Sequence, residues 1–260
     1  MTVKKVYVLD GGTVPMAHEW LTYLVGKERG MYPAAIFQVY CDTTEGKVLI
    51  ETGYRPEGPF ANQVWPGTQT EDQKITNQLA KIGVKPGDID IVINTHLHGD
   101  HCGNNALFKN ATFIVQRTEM RYAFAPLPHL GEGGYSRSDF DHPGLKYELV
   151  DGDWHVVEGI ETIFTPGHTP GLQSVIITTG KGNVFILPFD ALLIREQVTK
   201  PWIGRWDGPY VCMGYLYSLE DSYKSIYKIM NIAKARNAEI WYGHDRKFFD
   251  EAKKVPDYYE

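Results

Sequence analysis

A run of metal-binding side chains directly after an apolar stretch constrains this sequence more than any other feature. The strand-like residues 89–93 are followed by three histidines and an aspartate within seven residues: Thr95-His96-Leu97-His98-Gly99-Asp100-His101. Only nine histidines occur in the 260 residues, so this density is improbable for an ordinary solvated polar loop. We therefore interpret the segment as a metal-ligand cluster on a loop at a strand end.

The spacing of the cluster requires a bend. Alternate side chains of an extended segment point to opposite sides, so His96 and His98 can converge only if the loop turns. Gly99 permits a turn because glycine tolerates positive φ. The bent loop could then offer His96 and His98 to one metal ion, and Asp100 and His101 to a second.

The composition is that of an ordinary globular protein, with 43% hydrophobic and 22% charged residues, and we expect a single domain over residues 1–260. The formal net charge of −6 argues against nucleic acid as a partner, because phosphate binding needs a basic face. No apolar run approaches the roughly 20 residues of a membrane span. The N-terminal apolar stretch ends at Asp10, too early for a signal peptide. Together with three scattered cysteines, this predicts a cytoplasmic protein without membrane association.

The remaining chain alternates between strand, helix and loop signals. Strands are predicted at 3–9, 34–41, 47–51, 89–95, 111–116, 172–179, 184–187 and 240–242, with two more within 154–165. Helices are predicted from Thr70 to Gly83, at 118–125 and from Ser218 onward. Loops are predicted at 10–12 (a turn), 13–33 (with one helical turn), 54–69, 126–146 and 195–217. Because the strands fall into two groups with helices after each, we expect two sheets packed face to face with helices outside.

Three further polar residues stand directly after predicted strands. His168 lies in the turn-rich segment 165–171, Asp190 follows strand 184–187, and His244 follows strand 240–242. Each one alone fits a structural role, as a turn residue, a helix cap or a surface histidine. Taken with the first cluster they give five histidines and two aspartates, which is two sets of three ligands and one bridging carboxylate. That number is typical of a di-metal hydrolase.

These motifs resemble the metallo-β-lactamase superfamily, and within it the N-acyl homoserine lactonases and the related 4-pyridoxolactonases. The narrower likeness depends on four segments: 3–7, 115–119, 165–174 and 243–245. The resemblance covers nearly the whole chain. It implies an α+β protein with the αβ/βα four-layer sandwich of the metallo-β-lactamase fold.

The same resemblance implies a ligand assignment for two divalent metal ions. One ion would be held by His96, His98 and His168, the second by Asp100, His101 and His244, and Asp190 would bridge them. A site of nitrogen and oxygen donors suits Zn(II), although Fe(II), Co(II) and Mn(II) also bind such sets.

The sequence departs from the family pattern at two positions. Leu193 stands three residues after the bridging aspartate, where a tyrosine that contacts the substrate carbonyl is expected, so Tyr210 and Tyr215 become candidate donors. Glu51 replaces the aspartate of an Asp-Thr-Gly strand end, which we interpret as a structural change. Met16, Trp20 and the aromatic loop 195–217 are candidates for an apolar substrate pocket. Cys102 is expected to be a buried thiol.

The predicted reaction is the opening of a lactone ring, with N-acyl homoserine lactones as the expected substrates and quorum quenching as the consequence. A metal-bridging hydroxide would attack the carbonyl, and Asp100 would shuttle a proton. No Gly-x-Ser-x-Gly elbow is present. A thioester or glyoxalase-type hydrolase, a di-iron redox protein and a non-enzymatic metal scaffold stay open as alternatives. The aromatic loop could equally form the interface of a homodimer.

Overall fold

Two mixed β-sheets form the frame of the protein. The computed structural model describes residues 3–23, 28–59, 66–128, 134–199 and 208–260. The first sheet has the strand order β1 (Val3–Ala17), β2 (Met31–Thr43), β3 (Lys47–Ile50), β4 (Ile91–Ile93), β5 (Thr112–Gln116) and β6 (Lys146–Val150). The second sheet consists of β7 (Trp154–Val157), β8 (Ile160–Phe164), β9 (Gln173–Thr178), β10 (Val184–Phe189) and β11 (Glu239–Tyr242), and each of these strands pairs with the next one in the chain.

Short helices connect these strands, and one long helix follows β10. The α-helices of the described chain are α1 (His18–Leu21), α2 (Ile75–Ala80), α3 (Gly99–Cys102), α4 (Arg117–Phe124), α5 (Arg137–Phe140), α6 (Glu196–Thr199), α7 (Leu219–Arg236) and α8 (Arg246–Glu251). Single 3₁₀ turns are found at Glu71–Gln73, Pro86–Asp88 and Asn105–Leu107. None of the helices in these described ranges has the length and apolar character needed to cross a lipid bilayer.

Parallel pairing determines which loops meet. In the first sheet β1, β2 and β3 are antiparallel, whereas β3, β4, β5 and β6 run parallel to one another. In the second sheet β10 and β11 are parallel, and the other pairs are antiparallel. The carboxyl ends of neighbouring parallel strands lie at the same sheet edge, so the segments after β3 and β4 are neighbours, as are those after β10 and β11.

The core lies between the sheets and is closed by helices on both outer faces. Inward-facing side chains of both sheets form one buried cluster, which includes Val6, Val48, Val175, Leu187 and Trp241. On the outside of the first sheet, α2 buries Ile75 and Leu79 against Leu49 and Val92. On the outside of the second, α7 buries Ile226 and Ile229 against Ile176 and Ile186. The order helix, sheet, sheet, helix confirms the predicted four-layer architecture.

The N-terminal prediction is wrong in one respect. The expected turn at 10–12 and both ends of the expected loop 13–33 belong to strands, because β1 continues to Ala17 and β2 starts at Met31. The register with β2 shifts between Asp10 and Gly12, and Gly12 has φ +104, which marks a β-bulge. A bulge lets a strand pass through turn-forming residues without ending. The single helical turn expected in this region is α1.

Several short elements were not predicted. The expected loop 126–146 contains α5 and ends where β6 begins, and α8 follows the last predicted strand. α6 lies inside the expected aromatic loop 195–217, whereas Trp202 and Trp206 of that loop are outside the described residues. α5 and α6 have four residues each, too few for a helical period to be visible in the sequence.

Candidate metal centre

Seven predicted ligands meet where the two sheets bring their strand ends together. His96, His98, Asp100 and His101 follow β4, Asp190 follows β10, His244 follows β11, and His168 lies in the turn between β8 and β9. Each of these side chains is at most 5% exposed. Residues far apart in sequence therefore form one buried polar cluster.

The bend at residues 98–101 is made by a helix rather than by a left-handed glycine. His98 is extended (φ −72, ψ 153), and α3 starts at the next residue, so the chain changes from extended to helical between His98 and Asp100. Gly99 is not among the glycines with positive φ, so the predicted role of its conformational freedom is wrong. Its N–H donates to the carbonyl of Gly134 over 3.0 Å, which anchors the start of the helix.

The turn that carries His168 depends on a glycine. Gly167 has φ +147, and a Cβ atom there would lie 2.4 Å from the Cα of Ser222 on α7. Only glycine therefore lets this turn approach α7 so closely. The N–H groups of Tyr217 and Ser218 donate to the carbonyl of Gly167 over 2.8 and 2.9 Å, which fixes the turn against the start of the helix.

Three imidazoles form the first set of donors. The Nδ1 atom of His98 lies 3.0 Å from the Nε2 atom of His96 and 3.0 Å from the Nε2 atom of His168. Donors bound to one tetrahedral zinc ion at about 2.0–2.1 Å are about 3.3 Å apart, close to these spacings. Burial lowers the pKa of all three histidines, which favours the neutral imidazole that metals bind.

The second set adds carboxylate to imidazole. The Oδ2 atom of Asp100 lies 3.5 Å from His101 Nε2 and 3.8 Å from His244 Nε2. Asp190 stands between the two sets: its Oδ2 atom is 3.3 Å from His168 Nε2, and its Oδ1 atom is 3.2 Å from both His101 Nε2 and His244 Nε2. One carboxylate thus faces both groups of histidines.

The protein atoms alone leave this cluster incompletely bonded. His101 Nε2, His244 Nε2 and Asp190 Oδ1 are buried and have no hydrogen-bond partner. Burial disfavours the charged form of His101, yet Asp100 and Asp190 together raise its pKa well above the usual range. Burial likewise opposes the ionisation of Asp190, but His101 and His244 hold its pKa well below the usual range. Because unpartnered buried polar atoms are costly, these residues fit cations bound between them.

Most of the ligand histidines are held from behind by oxygen atoms. His168 Nδ1 and His244 Nδ1 donate to the backbone carbonyls of Tyr215 and Ala35, both over 2.9 Å. His96 Nδ1 lies 3.2 Å from the hydroxyl of Thr95. These contacts fix the ring orientation and leave Nε2 of each histidine directed into the cluster.

Sequence reasoning missed the roles of two buried glutamates. The Oε1 atom of Glu51 accepts the Thr95 N–H over 2.7 Å and lies 3.7 Å from His101 Nδ1, so this departure at the end of β3 touches the cluster. Glu119 accepts hydrogen bonds from both loops that carry the first set of donors. The available signal for Glu51 was a carboxylate at the end of a predicted strand, at the position where the family pattern has an aspartate.

An apolar cavity opens directly above the metal-ligand cluster. Its lining consists of Met16, Trp20, Leu21, His98, Asp100, Gly134, His168, Asp190, Leu193, Met213 and Tyr215. Of the predicted substrate contacts, Met16, Trp20 and Tyr215 lie in this lining. Tyr210 does not, because its ring packs against Tyr227 of α7 with centroids 4.9 Å apart, and we do not retain it as a candidate. The buried thiol of Cys102 donates to the carbonyl of Leu97 over 3.3 Å.

A helix–sheet–sheet–helix sandwich with two adjoining sets of buried histidines and aspartates at its strand ends is the arrangement of a hydrolase with two metal ions. The chain belongs to the metallo-beta-lactamase superfamily, whose family model matches residues 33–228.

Relatives of known activity narrow the likeness. The chain is 35% identical over 224 residues to the N-acyl homoserine lactonase AttM of Rhizobium radiobacter, covering 83% of this chain and 81% of AttM. It is 30% identical over 275 residues to the N-acyl homoserine lactonase AiiA of Bacillus thuringiensis subsp. kurstaki, covering 99% and 100% of the two chains. A solved N-acyl homoserine lactone hydrolase, with the product N-hexanoyl-L-homoserine at its catalytic metal centre, superposes with a TM-score of 0.84 at 29% identity over 100% of both chains.

Proposed function

We propose that this protein is a metal-dependent lactonase that hydrolyses N-acyl homoserine lactones and thereby quenches quorum signals. The observation that carries the proposal is the pair of donor sets that share Asp190 at the floor of an apolar cavity. A compact polar reacting group attached to an apolar chain fits such a site. The relatives AttM and AiiA are lactonases, which favours this reaction over thioester hydrolysis or di-iron redox chemistry.

The proposed ligands divide into two sets. One divalent ion would be held by the three imidazoles of His96, His98 and His168. The other would be held by Asp100, His101 and His244, and Asp190 would be a ligand of both ions. We propose zinc as the metal, with iron, cobalt and manganese as alternatives that the same donors accept. Two such ions would supply Lewis acidity and lower the pKa of a bound water from about 15.7 toward about 7.

The reaction adds the elements of water across the ring ester bond. A hydroxyl group joins the carbonyl carbon, the bond from that carbon to the ring oxygen breaks, and the departing alkoxide takes up a proton. Asp100 lines the cavity beside His101 and is our candidate for carrying this proton. The products are an N-acyl homoserine, with a carboxylate and a free hydroxyl, and one released proton.

The cavity wall suggests how the substrate is oriented. Leu193 lines the cavity and cannot donate a hydrogen bond. Tyr215 lines it too, with its ring centroid 5.8 Å from that of His168, and burial raises the pKa of its phenol so that it stays a donor. We propose that the Tyr215 hydroxyl contacts the lactone carbonyl, and that Met16 and Trp20 contact the acyl chain.

The test combines metal analysis with a matched pair of tyrosine variants. The purified protein is expected to contain two metal ions per chain and to release one proton per N-hexanoyl homoserine lactone opened. Tyr215→Phe is expected to lower kcat/KM at least tenfold, whereas Tyr210→Phe, a control outside the cavity, stays near wild type. His98→Ala is expected to abolish activity by removing a ligand.

Three outcomes would contradict the proposal. Two bound metal ions without activity on any lactone would exclude the substrate class. Thioester turnover above lactone turnover would favour a glyoxalase-type hydrolase. Bound iron with a visible absorption band and no hydrolysis would favour a redox protein.

We also propose a cytoplasmic location and a homodimer. Cys41, Cys102 and Cys212 are free and buried, as is usual for proteins of reducing compartments. Trp20 and Tyr217 are 41% and 45% exposed and supply aromatic surface of the kind that interfaces use. Cell fractionation tests the location, and light scattering coupled to gel filtration tests the dimer.

A further inference from the structure

Glu51 gives one ligand histidine a partner that the others lack. The outer nitrogens of His168 and His244 face backbone carbonyls, and that of His96 faces a hydroxyl. The outer nitrogen of His101 faces the carboxylate of Glu51, with 3.7 Å between Nδ1 and Oε1. A carboxylate behind a ligand histidine fixes the ring and increases its basicity as a ligand.

The backbone around Glu51 holds the same histidine from its other side. The N–H groups of Thr52 and Gly53 donate to the carbonyl of His101 over 2.8 and 3.0 Å. The N–H of Glu51 donates to the Ile93 carbonyl over 2.9 Å. Residues 51–53 therefore contact His101 at two places, with hydrogen bonds to its backbone carbonyl and with the Glu51 carboxylate beside its ring.

Glu51 itself is held in a conformation that glutamate rarely adopts. Its φ is +65, a strained value for a residue with a long side chain. Its side chain is 1% exposed, Oε1 accepts the Thr95 N–H over 2.7 Å, and Oε2 has no hydrogen-bond partner. A buried carboxylate kept at this position despite backbone strain and an unpartnered oxygen serves something besides packing.

The negative charge around the two donor sets is unequal. The set of His96, His98 and His168 is neutral and shares only Asp190 Oδ2. The set of Asp100, His101 and His244 contains a carboxylate of its own, faces Asp190 Oδ1, and has Glu51 behind His101. A divalent cation is attracted more strongly to the second set, since Coulomb attraction grows with the nearby opposite charge.

We propose that Glu51 is a positioning residue that orients His101 and strengthens cation binding by Asp100, His101 and His244, so that this set fills before the set of His96, His98 and His168. The inference rests on the ligand sets of the proposed function and adds an order of loading to them. Glu51 does not line the cavity, and the ligand that its carboxylate faces is His101; the oxygen of a glutamine at this position can still accept the Thr95 N–H.

The test is a zinc titration of the full chain after removal of metal, read with a competing chromophoric chelator. Wild type is expected to show a tighter and a weaker binding step. Glu51→Gln keeps the side-chain shape but removes the charge, and is expected to weaken the tighter step about 10- to 100-fold while the weaker step changes much less. Asp139→Asn is the matched control, because Asp139 is a buried carboxylate whose partner is Arg55, and both steps should stay unchanged.

Two ligand variants that keep Glu51 assign the steps to the sets. His244→Ala is expected to remove the tighter step, and His98→Ala the weaker one. Loss of the tighter step in His98→Ala would overturn the order of filling. Circular dichroism of the metal-free proteins shows whether each variant is folded.

Glu51→Asp covers the case in which the glutamine variant does not fold. Aspartate tolerates positive φ better than glutamate, but its carboxylate ends one methylene further from His101. We expect a folded protein with a weakened tighter step. A wild-type tighter step in every folded Glu51 variant would overturn the role of Glu51. Failure of wild type to bind zinc at all would instead contradict the proposed function.

Discussion

Glu119 on α4 ties together the two loops that carry the first set of histidines, and its removal should weaken both the fold and the metal site. Its Oε1 atom accepts the Leu97 N–H over 3.0 Å and the Tyr135 hydroxyl over 2.8 Å. Its Oε2 atom accepts the Thr169 hydroxyl over 2.7 Å and the Gly171 N–H over 3.2 Å. Leu97 lies between two ligand histidines, and the other loop carries His168.

The cost of Glu119→Gln follows from these four bonds. The hydroxyls of Tyr135 and Thr169 can rotate and accept from an amide, but a backbone N–H cannot. Whichever way the glutamine amide turns, the N–H of Leu97 or of Gly171 loses its acceptor, and a buried unpaired donor costs about 1–3 kcal/mol. The remaining hydrogen bonds become weaker because their acceptor is no longer charged. In the opposite direction, glutamine avoids the cost of burying a negative charge, the same burial that raises the pKa of Glu119. These last two effects oppose each other, so we expect a loss of about 1–3 kcal/mol in the free energy of unfolding.

Urea denaturation of metal-free protein measures this loss directly. For a domain of this size the thermal midpoint should fall by about 2–12 °C, at roughly 2–4 °C per kcal/mol. Zinc retention by the His96, His98 and His168 set should fall as well, because one of the two loops loses the bond from its backbone N–H to residue 119. Glu148→Gln, at an exposed position on β6, is the control and should stay within about 0.5 kcal/mol of wild type. A Glu119→Gln protein as stable as this control, with full zinc content, would refute the reasoning.

Three other variants test separate parts of the structure. Gly171→Ala would place a Cβ atom 2.2 Å from the backbone nitrogen of Glu119. We expect this clash to lower the free energy of unfolding by about 3 kcal/mol or more and to reduce the content of bound metal. Gly87→Ala is the control and should be tolerated, because its Cβ atom would have its nearest contact at 3.5 Å. Trp20→Ala removes a ring that stacks on Tyr215 of the cavity with centroids 6.0 Å apart, and such a ring contact is worth about 0.5–1.5 kcal/mol. We expect KM for long-chain lactones to rise about 2- to 10-fold with little change in kcat. An unchanged KM would exclude the contact between Trp20 and the acyl chain. Ser218→Ala removes the N-cap of α7 and should cost about 1 kcal/mol in urea denaturation without changing metal content, and an unshifted midpoint would contradict this.

Local signals in the sequence predicted elements well where the stabilising contacts are themselves local. Ser218 accepts the Asp221 N–H over 3.2 Å at the start of α7, as its capping pattern predicts. The predicted helix 70–83 starts at the expected place, where the Thr70 N–H donates to Gln73 over 2.8 Å, but it is not continuous: a single 3₁₀ turn is followed by the extended Lys74, and α2 covers only Ile75–Ala80. The continuation of β1 through Gly12 could not be predicted in this way. It depends on pairing with β2 on both sides of the bulge, and that pairing is a contact between distant segments.

The sequence by itself determined the kinds of donors and their attachment to strand ends, because imidazole and carboxylate chemistry and strand periodicity are both readable from short segments. The tertiary structure decided which donors meet: His98 and His168, 70 positions apart, have nitrogens 3.0 Å from each other only because the two sheets pack together. It also decided that Tyr215 lines the cavity, whereas Tyr210 packs against α7. In addition, it brought the carboxylate of Glu51 next to the outer nitrogen of His101. These outcomes depend on the register and packing of whole sheets, which no short stretch of sequence contains.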